Sequence, residues 1–190
     1  MVMALITMWL LGMHAVAGGL RAIDIVRSPL SESLASFDSD DLGDAAQRAF
    51  VRGVNNHAET ALPLGVAQLL LGTLLAVVSA RALLWRKGSR SLALQLLMAN
   101  ALLAVIGYVL HDPIRRSVVE ALVAFLARHP PAEAPPSEYV ELARTNLRWG
   151  FRLWLTAQLS GFTFAGIMLL RRPGRELFAG ANGSDSNRNP

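Results

Sequence analysis

The chain has no cysteine among its 190 residues. A disulfide framework, a thiol nucleophile and a thiolate metal site are therefore excluded, and the redox compartment leaves no mark on the composition. Lysine is nearly missing too: of 18 basic residues only Lys87 is a lysine, an arginine bias that fits a GC-rich bacterial genome and concerns origin rather than mechanism. Charged residues make up 17% of the chain, and none falls within four apolar runs at 1–20, 62–80, 91–110 and 153–170. Each run approaches the ~20 helical residues needed to cross a hydrocarbon layer about 30 Å thick, where helix is the only non-barrel way to satisfy the backbone. A hydrophobic content of 53% exceeds that of an ordinary soluble domain.

These features predict an all-α protein, a four-transmembrane-helix bundle with an amphipathic helical cap on its outer face. A single membrane domain covers 1–179, with spans at about 1–20, 62–84, 91–110 and 150–170. The Gly-, Ser- and Asn-rich segment 180–190 reads as a disordered cytoplasmic tail. The length leaves room for one domain and no large appended module, so any chemistry belongs to the bundle or its caps. No internal repeat is evident. The net charge of +4 does not imply nucleic acid, because the basic residues gather at span ends rather than in an aromatic-interleaved patch. The expected partners are the lipid bilayer and a membrane protein or a second copy of the chain.

Loop charge sets the orientation. The connector between spans two and three carries Arg81, Arg86, Lys87 and Arg90 without an acid, and Arg171, Arg172 and Arg175 follow span four; both ends are expected in the cytoplasm. The connection from Arg21 to Ala61 holds four arginines against seven acids and is the natural translocated segment. A bacterial inner-membrane protein with both termini inside satisfies this pattern. Ala15-Val16-Ala17 before Gly18 also resembles a signal-peptide cleavage site. The uncharged n-region and the long apolar run favour a retained span, while cleavage would leave three spans and an outside N-terminus.

The outer connections carry helical signals. Ser39 precedes an acidic turn, and Leu42, Ala46, Ala49, Phe50 and Val54 recur at helical spacing, which predicts a capped amphipathic helix over about 40–60. Pro63 then either begins a new helix or kinks a continuous one. Pro113 opens a second amphipathic stretch within the connection 113–148, with Ile114, Val118, Leu122, Phe125 and Leu126 on one face. A stiff linker at Pro130, Pro131, Pro135 and Pro136 follows, after which Ser137 caps a helix running into span four.

Polar groups within the spans read first as packing elements. Gln68, Asn100 and Gln158 lie near mid-span and Gln95 nearer the inner end, where amides usually pair across helices. Ala15/Gly19 and Gly161/Ala165 are small-xxx-small pairs, and Trp85, Tyr108, Trp149 and Trp154 suit interfacial anchors. His14 is the only imidazole inside a span. Counting ~1.5 Å per residue, His14 and His111 lie about 10 Å apart in depth, so no haem is expected; the cofactor is otherwise unknown. A hydrogen bond from His14 to a span amide is the simpler reading.

Chemistry is expected at the outer mouth, where His57, Glu59, His111 and Arg115 are the catalytic candidates. A histidine there could accept a proton and Arg115 could stabilise a phenolate. His57, Glu59, His111 and Asp112 could share one depth, yet His57 and Glu59 point to different helical faces, and no metal site is assigned. Arg52-x3-Asn56-x2-Glu59-x3-Pro63 places a polar stripe on one helical face. Arg52, Asn56 and Glu59 are the ligand-binding candidates, with locking of the cap onto the bundle as the structural alternative.

The run from Arg52 to Pro63 resembles the signature of the membrane-associated eicosanoid and glutathione metabolism family, which implies glutathione binding through its arginine, asparagine and glutamate. A broader resemblance rests on Leu62-Pro63-Leu64 opening span two, Asp112-Pro113-Ile114 after span three and Arg148-Trp149 entering span four. In that order they look like the anthrone-oxygenase-like family of small four-span membrane proteins, whose motif after span three usually reads Asn-Val-Pro-Leu-Asn. This resemblance implies the four-span fold and oxidation of an apolar aromatic substrate. The primary expectation is a binding or accessory component of a membrane assembly, with such an oxidation and a glutathione-dependent transferase as alternatives.

Overall fold

Charge-free runs fold as helices because nothing in a bilayer can replace the i to i−4 hydrogen bonds. The computed structural model describes residues 2–28, 41–83, 90–128 and 136–171. Six helices run through them: α1 (Val2–Arg27), α2 (Leu42–Asn56), α3 (Ala58–Leu83), α4 (Arg90–Leu110), α5 (Asp112–Arg128) and α6 (Pro136–Leu170). Four of these, α1, α3, α4 and α6, are long and apolar enough to cross a membrane, so the chain is an all-α, multi-pass membrane bundle. Ser39, Trp85, Pro130, Pro131, Pro135 and the tail 180–190 lie outside the described residues, as does the side chain of Ser137.

In lipid the hydrophobic effect does not drive helices together, so small residues that allow backbones to touch carry much of the association. Along α1 the residues Gly12, Ala15, Gly19 and Ala22 recur at steps of three, four and three, which keeps them on one face. That face lies directly against α3. A Cβ on Gly19 would stand 2.5 Å from the Gly65 carbonyl oxygen, and one on Gly72 would stand 2.8 Å from both the Ala15 Cβ and the Gly12 oxygen. The Ala15/Gly19 pair thus serves contact within the chain. Gly161 of the second small pair faces Thr7 and Leu11 of α1, and Ala165 is fully buried.

The bundle closes as a ring, with α4 packed between α3 and α6, and α6 returning to α1. The half away from α2 and α5 is solid: Leu5 and Met8 from α1 meet Leu75 from α3, Leu96 and Leu97 from α4, and Phe162 and Leu169 from α6. Large apolar side chains such as Met98, Leu102, Val109 and Leu153 remain exposed on the outside, as lipid-facing residues do. Span hydroxyls bond back along their own helices, Thr73 to the Leu69 carbonyl and Thr163 to the Leu159 carbonyl, which removes the penalty of an unmet donor.

The cap is built by α2 and α5. Val51 and Val54 of α2, Ile114 of α5, Ile25 of α1 and Ala61 of α3 share one apolar cluster. Ala49, Val118 and Leu122 form a second, against Leu147 and Phe151 of α6. A Cβ on Gly53 would lie 2.9 Å from the Ile114 Cγ2, so α2 and α5 also depend on a glycine. Salt links reinforce the corner, with Arg144 of α6 reaching Glu120 of α5 at 3.0 Å.

Two local expectations need correction. The helix boundary falls at His57, where φ is −123° and ψ 33°, and Pro63 lies inside α3. The proline therefore neither starts the span nor joins it to α2. Because the helical phase is interrupted between Asn56 and Glu59, the stripe Arg52, Asn56, Glu59, Pro63 does not occupy one continuous face. At the other end of α2, Asp41 occupies the N-cap position without a side-chain capping bond.

The α1–α3 contact predicts an asymmetry among glycines. Gly19→Leu and Gly72→Val should each destabilise the detergent-solubilised bundle by at least ~1–3 kcal/mol, seen as a lower thermal midpoint. Gly166→Ala, whose added Cβ would meet nothing within 4 Å, should leave that midpoint in place.

Candidate functional site

Between the solid half and the helices α2 and α5, the four spans leave a cavity of about 390 Å³, within the size range of small-molecule sites. Each span contributes at least one polar side chain to its wall: His14 from α1, Gln68 from α3, Asn100 from α4 and Gln158 from α6. The remainder is mostly apolar, including Leu103, Leu155 and Phe162. Phe50, Val54, Ile114 and Val118 close it from the cap side, so α2 and α5 act as its roof.

The amides differ in what they engage. Asn100 is 4% exposed and donates to the Leu71 carbonyl of α3 at 3.2 Å and the Leu96 carbonyl of its own helix at 2.8 Å. It ties α4 to α3 through a backbone acceptor, not through a second amide. Gln68 sits between two glycines, its Oε1 and Nε2 each 3.6 Å from where a Cβ on Gly18 or Gly107 would lie. His14 meets the Trp154 ring edge to face at 5.1 Å between centroids, where a bond to a span amide was expected. Both His14 and Trp154 line the cavity and are also exposed on the bundle's outside, so the cavity reaches the surface between α1 and α6.

At the roof, His111 occupies the junction between α4 and α5, and Arg115 stands one turn later; both line the cavity. The Arg115 side chain is only 15% exposed and lies 3.1 Å from the Asp112 carboxylate. It also donates to the Tyr108 carbonyl and stacks 3.7 Å from the centre of the Tyr108 ring, a cation–π contact. These partners hold the guanidinium at the cavity margin. The Nε2 atom of His111 is buried with no hydrogen-bond partner. Burial, and secondly the Arg115 charge, push its pKa below the ordinary value of 6.5, so the ring is neutral at physiological pH.

Of the four outer-mouth candidates, the structure brings His111 and Arg115 together, and His57 and Glu59 do not line their cavity. His57 Nδ1–H donates to the Gly53 carbonyl at 3.0 Å, meeting one of the orphan acceptors at the end of α2. Arg52, Asn56 and Glu59 are exposed and also lie outside the cavity wall. Among the described residues no cluster of three or more His, Asp or Glu is arranged to hold a metal ion. The sequence did contain a sign of the cavity, since His14, Gln68, Asn100 and Gln158 all fall within about two to three helical turns of the outer span ends. Compared with family models, characterised proteins and solved structures, the chain matches none.

His111 makes the bundle sensitive to acid in a defined direction. Its folded-state pKa is depressed, so above about pH 6.5 both folded and unfolded chains carry it neutral, and stability falls as pH drops from there through the folded value. The thermal midpoint should therefore fall between pH 7.5 and 5, and His111→Gln should show a smaller fall than the wild type. An equal fall in both proteins would exclude His111 as a source.

Proposed function

We propose that the protein binds a small, mainly apolar molecule carrying a hydrogen-bonding group, admitted from the bilayer between α1 and α6 and held beneath the α2–α5 roof. The observation that carries this reading is the cavity, apolar over most of its wall yet given at least one polar side chain by every span. A lone amide can be bundle glue. Four polar side chains converging on one void in hydrocarbon, where desolvation is costly, have the composition of a recognition site. On this reading the protein is a binding component of an assembly in a bacterial cytoplasmic membrane, with both termini inside, as the arginine-rich connector supports.

A second reading is favoured by the pairing of His111 with Arg115 beside Tyr108, Phe151 and Trp154. A neutral imidazole with an unpartnered Nε2 suits proton acceptance from a phenol, and the adjacent guanidinium suits stabilisation of the phenolate. Those are the roles an anthrone-oxygenase-like oxidation of an aromatic substrate would require of these residues.

Mass spectrometry of molecules retained in mild detergent tests the binding reading. A stoichiometric small molecule should accompany the wild type and be lost from Ala104→Phe, which fills the cavity from α4. With 1-naphthol as a probe, quenching of tryptophan fluorescence should saturate. Gln68→Leu and Gln158→Leu should each weaken it about two- to tenfold, the worth of one neutral hydrogen bond. Undiminished binding in all three variants would refute the cavity as the site.

A further inference from the structure

Outside the roof there is a second cavity of about 380 Å³, and its character is opposite to the first. Four arginines line it, Arg115 and Arg116 from α5 and Arg148 and Arg152 from α6, against a single carboxylate, Asp112. Asp112 already serves two of them, at 3.1 Å from Arg115 and 2.6 Å from Arg116. Glu120 approaches Arg148 only to 3.8 Å, and its other oxygen is held by Arg144. Arg152 lies over the Trp149 ring at 5.2 Å. The cavity therefore keeps an excess of guanidinium groups that its carboxylates do not neutralise.

Its depth gives that excess a meaning. Arg152 is the last charged residue before the uncharged run of α6, and Tyr108 stands near the end of the span in α4. Trp149 and Trp154 are both more than half exposed here, in the manner of side chains at a headgroup boundary. Guanidinium forks match phosphate oxygens in pairs, which makes arginine the preferred residue for such anions.

We propose that this arginine-lined cavity is a binding site for a phosphate-bearing anion, and that its source is the headgroup of an anionic membrane lipid. The site is independent of the inter-helix cavity's ligand. Tyr108, Arg115 and Phe151 form the wall common to both cavities, whereas Arg116, Arg148, Arg152 and Asp112 belong to the basic cavity alone. Substitution of Arg148 and Arg152 tests the lipid site without altering the wall of the first.

The test is titration of the detergent-solubilised full chain with short-chain phosphatidylglycerol, with phosphatidylcholine of equal chain length, and with inorganic phosphate, followed by thermal midpoint and native mass spectrometry. Phosphatidylglycerol should bind saturably and raise the midpoint, phosphatidylcholine at least tenfold more weakly. The double variant R148Q/R152Q should lose at least tenfold in affinity for the anionic lipid. Asp112→Asn, which removes the competing carboxylate, should bind it more tightly and decides the matter even if the double variant fails to fold. Equal response to inorganic phosphate would keep the anion site and assign it to a soluble source. Failure of the wild type to distinguish the two lipids, or unchanged affinity in both R148Q/R152Q and Asp112→Asn, would overturn the proposal.

Discussion

The backbone contact between α1 and α3 is the constraint on which the rest of the bundle is built. Within a bilayer, moving an apolar side chain from lipid to protein gains little, so association depends on close van der Waals packing and a few polar links. Gly12, Gly19, Gly65 and Gly72 let two helices meet with almost no side chain between them. Among the described residues no comparable glycine-mediated backbone approach joins α4 or α6 to this pair. Those helices close the ring through large side chains at the end away from the cap, where Leu96, Leu97, Phe162 and Leu169 fill the centre. Toward the cap the smaller lining at Ala15, Gly18, Ala104 and Gly107 leaves volume unfilled. The cavity follows from the distribution of side-chain bulk along the four helices.

The roof solves a different problem. α2 and α5 each bury one apolar face, and they bury it on each other and on the span ends, so the outer opening is covered by Phe50, Val54, Ile114 and Val118. The α4–α5 turn continues the hydrogen-bond ladder, with His111 N–H donating to Gly107 and Arg115 N–H to the His111 carbonyl, both at 2.9 Å. That continuity fixes His111 and Arg115 one turn apart at the roof of the inter-helix cavity. A neutral acceptor and a permanent cation are thereby held side by side without a carboxylate between them, since Asp112 engages Arg115 from the side of the basic cavity.

Much of the architecture was legible in the sequence because it follows from charge exclusion alone: the absence of Asp, Glu, Lys and Arg over about twenty residues leaves one structural solution. The amphipathic cap was legible for the related reason that one face of α2 and α5 repeats at helical spacing. The helix break at His57 was not. Nothing in Asn55-Asn56-His57-Ala58 marks a stop as proline or glycine would, and the break depends on the turn that lets His57 cap Gly53. The site was only half legible. His111 and Arg115 were singled out by their place after span three, and His57 and Glu59 were placed with them because they share that depth, whereas the cavity wall takes in only the first two. Gln68, Asn100 and Gln158 were read as partners for one another, since sequence gives depth in the membrane but not the rotation that decides whether a polar group meets a neighbour or a void.

Asn100 imposes a chemical polarity on that void. Backbone carbonyls can only accept, so the bonds to Leu71 and Leu96 commit the side-chain nitrogen as donor twice and exhaust its hydrogens. What remains of the amide is its oxygen. At that point the wall presents an acceptor and no spare N–H. One side chain, anchored for the sake of helix packing, thus fixes which half of a hydrogen bond the cavity wall offers at that point.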